Sequence, residues 1–509
     1  MDVPQTKHIL IVGGGVIGST TAYYLTRHPN FDPSKHTITL LEATSIAAGA
    51  SGRAGGLLAL WAYPECLVPL SYRLHRELAE EHGGAEKWGY RRVKCGTIGA
   101  VVRPADLEEA RKAAQGASTD TPTLTQVETA APPASEPEGA SRETNGDTKG
   151  AASEPSLVSA TAASSIASRP DQSEVKIESG TQAGPGEERP AAAREGKEWE
   201  KLPKQDAAAT SLLSDSALPP DLDWIDPKLV QYYEEMGRRG FTETAQVHPF
   251  HFTTAIADLA RAAGVDIRLG AKFTGVKPAE PASSSPSPGL LSVEYEDRAH
   301  GEAIRTVDGV TDVIVAAGPW TGGLLPRSKV EGLRAHSIVF EADVTPYAVF
   351  TDIQLPADYV PEHRARAGQK RKHKGNVDPE VYARPFGEVY ACGEPDKTIP
   401  LPSTADQVQT DQAQCDDLAA YLATISPTLA AAPIRARQAC YLPQHVRFGT
   451  ERGPLVGPTS TPGVWVASGH TCWGIQNGPA TGYLMAEWVL DGAARAADID
   501  VLHPAKFKV

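Results

Sequence analysis

The chain has 509 residues and carries 49 basic against 63 acidic side chains, which gives a formal net charge of −14. This length suits two packed lobes better than a single small domain. The acidic balance argues against nucleic acid or an anionic membrane surface as a main partner.

The six cysteines form no C-x-x-C pair and no Cys/His cluster with zinc-site spacing. Neither a disulfide framework nor a metal site is therefore predicted, and reduced thiols fit the cytoplasm. A membrane helix needs about 18 consecutive apolar residues, and no stretch of the chain supplies them. The N-terminal residues also lack the pattern of a signal peptide. We expect a cytoplasmic protein without a membrane span.

The first motif is a glycine-rich turn that directly follows a run of apolar residues. Residues 9–18 read ILIVGGGVIG, in which Gly13, Gly15 and Gly18 fit the pattern G-x-G-x-x-G. The first glycine permits a tight turn, the second lets backbone approach a pyrophosphate, and the third lets a helix pack on a strand. An isolated copy could equally be an ordinary strand-to-helix turn.

The context of this turn favours a dinucleotide site. Ser19–Arg27 is predicted as a helix and Thr37–Leu41 as a β-strand that ends at Glu42, 24 positions after Gly18. An acidic residue at a strand end about 20 residues beyond the glycines is where a ribose hydroxyl pair needs its acceptor. We therefore predict that the turn binds a dinucleotide.

Residues 116–198 change composition abruptly: they contain no aromatic residue, and 14 acids face 7 bases. Such a segment buries too little apolar surface to offset the entropy of ordering, so we predict a disordered insertion. Pro278–Gly289 resembles it in composition. The basic run Lys370–Lys374 could bind nucleic acid or lipid, but five charges in a polar loop are more often simply solvated.

The remaining pattern predicts an alternation of helices and strands. Predicted helices cover Asp226–Met236, Phe252–Ala263 and Ala480–Leu490. Predicted strands cover Val265–Leu269, Ser292–Tyr295, Thr311–Ala316 and residues 463–470, and mixed alternation between Ser337 and Tyr390 predicts an antiparallel sheet in a second lobe.

Five ordered motifs resemble the FAD-dependent oxidoreductases of the D-amino-acid oxidase type, which include sarcosine and glycine oxidases and related fungal proteins. They are the 13–18 turn with Glu42, the second Gly-rich loop 48–56 (AGASGRAGG), Val247-His248-Pro249, the segment 316–320 (AAGPW) and the segment 469–474 (GHTCWG).

The resemblance implies an α/β fold, α+β overall, with a Rossmann-type FAD-binding lobe and a mainly antiparallel substrate lobe. It implies these divisions: 1–103, the first part of the FAD-binding lobe; 104–222, an insertion that is disordered at about 116–198; 223–330, the FAD-binding lobe continued with substrate-lobe elements; 331–430, the substrate lobe; and 431–509, the C-terminal part of the FAD-binding lobe.

The second Gly-rich loop favours FAD over a nicotinamide cofactor as the predicted ligand. An extended FAD needs backbone donors along its pyrophosphate and ribityl chain, whereas a Rossmann unit that binds NAD needs no second loop of this kind. A flexible surface loop is the alternative interpretation, but an arginine among small residues is an odd choice for one. An NAD(P)-linked dehydrogenase is accordingly disfavoured.

The resemblance assigns cofactor contacts along the whole chain. In the family, the terminal loop passes beneath the flavin ring and leads into a helix whose N-terminus faces the pyrimidine carbonyl, where it stabilises negative charge. The implied cofactor residues are Gly13, Gly15, Val16, Ile17, Gly18, Glu42, Ala43, Ser51, Gly52, Arg53, Gly55, Gly56, Lys272, Phe273, Ala317, Gly318, Trp320, Cys440, Gly469, His470, Trp473, Gly474 and Ile475.

Cys440 matches the position at which some sarcosine-oxidase-like members attach flavin covalently through a thioether. The alternative is a buried structural cysteine, since cysteine is among the residues most often buried. Non-covalent FAD is the expectation, with covalent attachment at Cys440 as the alternative.

The candidates for substrate contacts are Arg384, His470, Tyr382 and Gln476. An amino-acid substrate needs a cation for its carboxylate, ideally a bidentate arginine, and Arg384 is the first candidate. Arg384 could equally be structural, and a lone histidine such as His336 or His470 is more often satisfied in a core than catalytic. Gln476 departs from the family, because sarcosine-oxidase-like members carry a carboxylate-binding lysine there. That departure makes neutral or larger secondary amines conceivable substrates.

Two functions remain at this point. The first is an FAD-dependent oxidase or dehydrogenase that oxidises the C–N bond of an amino acid or amine by hydride transfer to flavin N5. The second is a flavoprotein with a mainly regulatory or scaffolding role, in which the acidic insertion binds a protein partner.

Overall fold

A computed structural model describes residues 6–117, 217–236, 244–278 and 290–509 of the chain. Its strands are β1 (Lys7–Val12), β2 (His36–Glu42), β3 (Leu57–Ala59), β4 (Arg91–Arg92), β5 (Lys94–Val101), β6 (Val230–Glu235), β7 (Thr244–Gln246), β8 (Asp266–Leu269), β9 (Ala271–Pro278), β10 (Leu291–Asp297), β11 (Ala303–Val310), β12 (Asp312–Val315), β13 (Val330–Glu341), β14 (Tyr347–Gln354), β15 (Glu380–Arg384), β16 (Glu388–Cys392), β17 (Ile434–Arg447), β18 (Thr450–Glu451), β19 (Leu455–Pro458) and β20 (Val464–Ser468).

The α-helices alternate with these strands. They are α1 (Val16–Arg27), α2 (Val68–His82), α3 (Gly84–Trp88), α4 (Pro104–Ala117), α5 (Pro249–Ala262), α6 (Thr321–Leu324), α7 (Glu362–Arg366), α8 (Gln412–Ala423), α9 (Pro427–Ala431) and α10 (Gly474–Asp491). None of the helices in the described ranges is long and apolar enough to cross a membrane.

The nucleotide lobe is built on a six-stranded sheet with the order β19-β20-β12-β1-β2-β8. All pairings are parallel except that of the edge strand β19 with β20. Helices α1 and α10 pack so closely on one another that a Cβ at Gly482 would lie 2.5 Å from the Thr20 carbonyl carbon. The Rossmann-type lobe predicted from the sequence is confirmed.

The substrate lobe is built on an eight-stranded sheet with the order β18-β17-β13-β16-β15-β14-β5-β6. It is antiparallel except for the parallel pair β5 and β14, so the mainly antiparallel sheet is also confirmed. Because side chains alternate along a strand, the two faces differ. One face packs against α8 through Ile338, Val381 and their neighbours, and the other carries Ala348, Tyr382 and Tyr390. Smaller three-stranded sheets, β11-β10-β9 and β3-β7-β4, complete the strand pairing.

The predicted helix over Asp226–Met236 is wrong, because the chain forms the edge strand β6 there. Strand β6 pairs antiparallel with β5. Its rings fit only because β5 has glycines opposite: a Cβ at Gly96 would lie 2.3 Å from the Tyr233 ring, and one at Gly99 would lie 2.0 Å from the Tyr232 ring. Pairing with a distant strand thus overrides the local helical pattern.

Other predicted elements exist with shifted ends. The last helix begins at Gly474, six positions before the predicted start at Ala480, and it contains Pro479, a residue that disfavours helix interiors. Of the predicted disordered insertion, residues 118–198 lie outside the described residues, as do residues 279–289 of the second insert. Trp224, in the segment that follows, is buried in the substrate-lobe core.

Candidate functional site

The carboxyl ends of three parallel strands meet at one edge of the nucleotide lobe. Gly13 follows β1, Ala316 follows β12 and Gly469 follows β20. Gly13 has a φ of +109°, and a Cβ on it would lie 2.5 Å from the Ala316 carbonyl oxygen. Only glycine fits that position. Open α/β sheets bind their ligands at such an edge.

The two Gly-rich loops lie against each other at this edge. Glu42 accepts hydrogen bonds from the amides of Gly14 at 2.7 Å and Thr44 at 2.8 Å. Ser51, in the second loop, accepts a hydrogen bond from the Val16 amide at 2.9 Å and thereby satisfies the first turn of α1. The predicted motifs are therefore brought together around a helix N-terminus, a position that suits a pyrophosphate.

The second loop also contacts the substrate lobe. Arg53 donates a hydrogen bond to the Ala439 carbonyl oxygen, next to Cys440. A Cβ at Gly55 would lie 2.4 Å from the Tyr382 ring. The loop therefore joins the nucleotide lobe to the sheet that carries Tyr382.

The C-terminal loop and the start of α10 hold buried polar atoms that have no partner among the described residues. His470 is buried, its Nε2 lies 3.0 Å from the Thr481 hydroxyl, and its Nδ1 is unpartnered. Burial lowers the pKa of His470 to about 3, so the ring is neutral. Gln476 accepts a hydrogen bond from the Ala59 amide at 2.7 Å, but its Nε2 is unpartnered, as is Asn477 Oδ1.

The unpartnered polar atoms fit a bound flavin nucleotide. Orphaned buried polar atoms are uncommon in folded proteins and need an explanation. Here they lie at the N-terminus of an 18-residue helix, and the helix dipole favours negative charge at that end. The glycine cradle and this helix end fit the two ends of FAD.

Arg384 is buried, and both terminal nitrogens of its guanidinium are engaged, whereas its Nε has no partner among the described residues. It forms an ion pair with Glu388, lies 2.9 Å from His248 Nε2 and donates to the Ala54 carbonyl oxygen at 3.1 Å. Burial alone would raise the pKa of Glu388, but the hydrogen bond with His248 and the charge of Arg384 outweigh it and lower the pKa to about 2. These contacts support the structural interpretation of Arg384 over the carboxylate-binding one.

A continuous chain of aromatic rings runs from the C-terminal loop to the substrate sheet. Neighbouring ring centroids are 5.6 to 6.1 Å apart, and most pairs meet edge to face. We call this row of rings the aromatic chamber, and its members are, in order, Tyr63, Trp473, Trp61, Phe350, Tyr382 and Tyr390. Tyr63, at one end of the row, is 44% exposed.

Sequence reasoning missed the carboxylate in this chamber, Glu380. The Tyr382 hydroxyl donates a hydrogen bond to Glu380 Oε2, and the Cys392 thiol lies 3.8 Å from the same oxygen. Burial raises the pKa of Glu380, and the hydrogen bond from Tyr382 counteracts it. Strand alternation could have found the residue, because in the segment 380–384 (EVYAR) Glu380, Tyr382 and Arg384 share a face.

The remaining predicted residues are distributed around the site. Ala317 and Gly318 follow β12, and the Trp320 indole donates to the Pro402 carbonyl oxygen at 2.7 Å. Lys272 lies 3.4 Å from Glu296, and Phe273 is buried in a core cluster beneath the first sheet.

Two further predicted residues, Cys440 and His336, are buried. Cys440 is buried, and burial raises the pKa of its thiol to about 11. His336 lies on the other side of the substrate sheet from the aromatic chamber, where its Nε2 accepts a hydrogen bond from the Asp411 amide at 3.0 Å.

Comparison with known families agrees with this geometry. The chain matches the family described as "DAO: FAD dependent oxidoreductase" over residues 8–182 and 189–488. It belongs to this family of FAD-dependent oxidoreductases.

Two fungal relatives match along almost the whole chain. "Putative oxidoreductase TDA3" of Saccharomyces cerevisiae is 35% identical over 526 residues, which cover 98% of this chain and 94% of the relative. "Putative oxidoreductase C1F5.03c" of Schizosaccharomyces pombe is 28% identical over 508 residues, which cover 98% of each chain.

Solved structures share the fold at low sequence identity. Glycine oxidase from Geobacillus kaustophilus has a TM-score of 0.53 at 16% identity, with 98% of both chains covered. L-proline dehydrogenase from P. horikoshii has a TM-score of 0.53 at 13% identity, with 99% of both chains covered.

Proposed function

We propose that this FAD-dependent oxidoreductase oxidises the C–N bond of an amine or amino acid, with hydride transfer to flavin N5. The observation that carries the proposal is the aromatic chamber. Its rings include Trp473 of the C-terminal loop and Tyr382 of the substrate sheet; Tyr382 lies against Gly55 of the second Gly-rich loop and donates a hydrogen bond to the Glu380 carboxylate.

The chain's own residues would hold the cofactor at two ends. Glu42 and the 13–18 turn suit the adenosine and pyrophosphate, and Ser51 and Arg53 suit the middle of the nucleotide. The N-terminus of α10, with His470 and Gln476, suits the electron-poor end of the flavin ring, because that helix end stabilises negative charge. When bound, FAD supplies the acceptor for the two electrons of C–N oxidation.

The aromatic chamber would position the substrate and exclude water. Trp61 and Trp473 meet at 5.6 Å between centroids, Phe350 and Tyr382 meet at 6.0 Å, and Trp61 contacts Phe350 at 6.1 Å between the two pairs. Holding a C–H bond at the flavin in a dry cavity provides the proximity that such a reaction requires. No strong acid or base is obligatory for it.

The names of structural neighbours support the substrate class without fixing it. They include a glycine oxidase, an L-proline dehydrogenase and an iminodiacetate oxidase. An amine or amino acid is therefore the first class to test for this chain. We further propose non-covalent FAD, because the buried Cys440 thiol is protonated at neutral pH.

The test is anaerobic mixing of the purified yellow protein with a panel of amines and amino acids. Bleaching of the flavin absorbance by any member supports the proposal, and the same assay with oxygen readmitted reports peroxide. A protein that binds FAD but is bleached by no amine across a broad panel would contradict the enzymatic function and favour the scaffolding one. A colourless protein that cannot take up FAD would contradict the site itself.

A further inference from the structure

Glu380 occupies a defined position on the face of the substrate sheet that borders the aromatic chamber. Strand register places it directly opposite Cys392 on β16 and opposite Phe350 on β14. Tyr382 lies two positions along the same strand and donates its hydroxyl to the carboxylate. The carboxylate is therefore fixed by backbone geometry on a rigid strand.

This carboxylate has no cationic partner within the described part of the chain. Its recorded contacts are the Tyr382 hydroxyl and the Cys392 thiol, both neutral donors. The nearby charged group is Asp378, which is also acidic. While it is ionised, a half-buried carboxylate without a counter-ion is unfavourable, and a bound cation would remove that cost.

The rings around Glu380 are suited to the same kind of ligand. Aromatic faces attract ammonium groups through their quadrupole, and clusters of such rings recognise alkylated ammonium. Phe350 lies opposite Glu380 in strand register, Tyr382 and Tyr390 continue the row of rings from it, and Trp61 contacts Phe350. The nearest candidate for holding a substrate carboxylate, Arg384, is neutralised by Glu388.

We propose that the aromatic chamber is a cation site, in which Glu380 and the rings bind a positively charged nitrogen of the substrate. This inference rests on the proposed function and narrows it: the substrate binds as a cationic amine with no need for a carboxylate, rather than as an anionic or zwitterionic amino acid. Its ammonium gives one proton to the Glu380 carboxylate, and the neutral amine that results then loses hydride from the adjacent carbon to the flavin. Glu380 is the specificity-determining residue of that site.

The experiment measures binding of a cation that cannot be oxidised in place of the unidentified substrate. Tetramethylammonium is titrated into the FAD-loaded protein, and its uncharged isostere tert-butanol serves as the neutral comparison. The perturbation of the flavin absorbance gives both dissociation constants. We expect tetramethylammonium to bind at least about tenfold more tightly than tert-butanol, and Glu380→Gln to abolish that preference.

A matched variant controls for charge alone. Glu341→Gln removes an exposed glutamate from strand β13 of the same sheet, and we expect it to leave the preference unchanged. Tyr382→Phe removes the internal donor but keeps the carboxylate, and we expect it to retain cation binding. If Glu380→Gln fails to fold, the ratio of the two constants in the unaltered protein still decides.

The outcomes separate this inference from the proposed function. Equal binding of the two probes, or an unchanged preference in Glu380→Gln, overturns the cation site even if amines bleach the flavin. Bleaching by zwitterionic amino acids in preference to their decarboxylated amines also overturns it. A Glu380-dependent preference supports the site, whereas a flavin that no amine bleaches counts against the proposed reaction.

Discussion

Ser51 and Val16 join two loops that lie 35 positions apart, through a 2.9 Å hydrogen bond from the Val16 amide to the Ser51 hydroxyl. Helix α1 begins at Val16 after Gly15, which has no side chain to cap it. The cap therefore comes from the second loop. Formation of the first helix and placement of the second loop are coupled at this one contact.

Replacing Ser51 with alanine should weaken both the fold and FAD binding. Loss of a capping acceptor costs about 1 kcal/mol, so the urea midpoint of the apo-protein should fall. FAD affinity, measured by fluorescence titration, should fall several-fold because the two loops lose their mutual support. The matched control is Ser45→Ala, an exposed serine of the preceding segment. Equal effects of both variants would contradict the coupling.

Gly13→Ala should abolish FAD binding. The added Cβ would meet the Ala316 carbonyl oxygen at 2.5 Å, in a backbone conformation that L-residues rarely adopt. We expect colourless protein, or a loss of folded protein, by absorbance and circular dichroism. Gly323→Ala is the control, since nothing lies within 4 Å of its added Cβ. A yellow Gly13→Ala protein with unchanged affinity would refute the close approach.

Glu388→Gln should destabilise the protein strongly at neutral pH. Removing one partner of a buried ion pair leaves Arg384 uncompensated, at a cost of about 3 to 5 kcal/mol. The exposed pair of Glu362 with Arg366 provides the control, because Glu362→Gln should change the free energy of unfolding by less than about 1 kcal/mol.

The effect of Glu388→Gln should depend on pH with a definite sign. The folded-state pKa of Glu388 is lowered from 4.5 to about 2. Its ionisation therefore stabilises the fold above pH 4.5, and that contribution is lost as the pH falls toward 2. Urea denaturation at several pH values should show the gap between the two proteins shrinking in acid. A gap independent of pH would exclude this ion pair as its origin.

Binding of tetramethylammonium to the aromatic chamber should strengthen as the pH rises through the raised pKa of Glu380. The carboxylate attracts the cation only when ionised, so affinity is lost in acid. The titratable groups that face it are Asp378, Tyr382, Cys392, Cys95 and Cys472. Burial raises the pKa of the three thiols, so they stay neutral over that interval. Glu380→Gln should give a flat profile; a profile that keeps its slope would assign the titration to another group.

Acid precipitation of the holoprotein should leave the yellow colour in the supernatant. Burial raises the pKa of Cys440 to about 11, which keeps the sulfur as a thiol rather than the nucleophilic thiolate. Cys440→Ser should therefore retain its full complement of flavin. A yellow wild-type pellet together with a colourless Cys440→Ser pellet would instead demonstrate a thioether to the flavin.

The nucleotide lobe was predictable from the sequence because its signals are local. The turn at Gly13, the helix after it and the strand ending at Glu42 all lie within the first 42 residues. Strand β6 was not predictable in this way, since Tyr232 and Tyr233 fit only against two glycines more than 130 positions away. Helical periodicity carries no information about that partner.

The residues of the candidate site also differ in whether local sequence or distant partners determine their surroundings. The role of Tyr382 as a substrate contact stays a prediction from its place in the substrate-lobe segment. The position of Glu380 gains significance only from Cys392, Phe350 and rings contributed by other segments, which the strand pattern alone does not show. Arg384 is predicted to bind a substrate carboxylate because arginine suits that task, yet it forms an ion pair with Glu388, four positions further along the chain. A charge suited to a ligand is indistinguishable in sequence from one already neutralised.

Strands β5 and β6 are immediate neighbours at one margin of the substrate sheet, although the chain between them runs from residue 102 to residue 229. The chain therefore leaves the sheet and re-enters it at adjacent antiparallel strands, as in a β-hairpin with a long connection. A tag or a fluorescent reporter inserted between these strands would enter the chain at that margin, whereas both glycine-rich loops and the rings of the aromatic chamber belong to other segments.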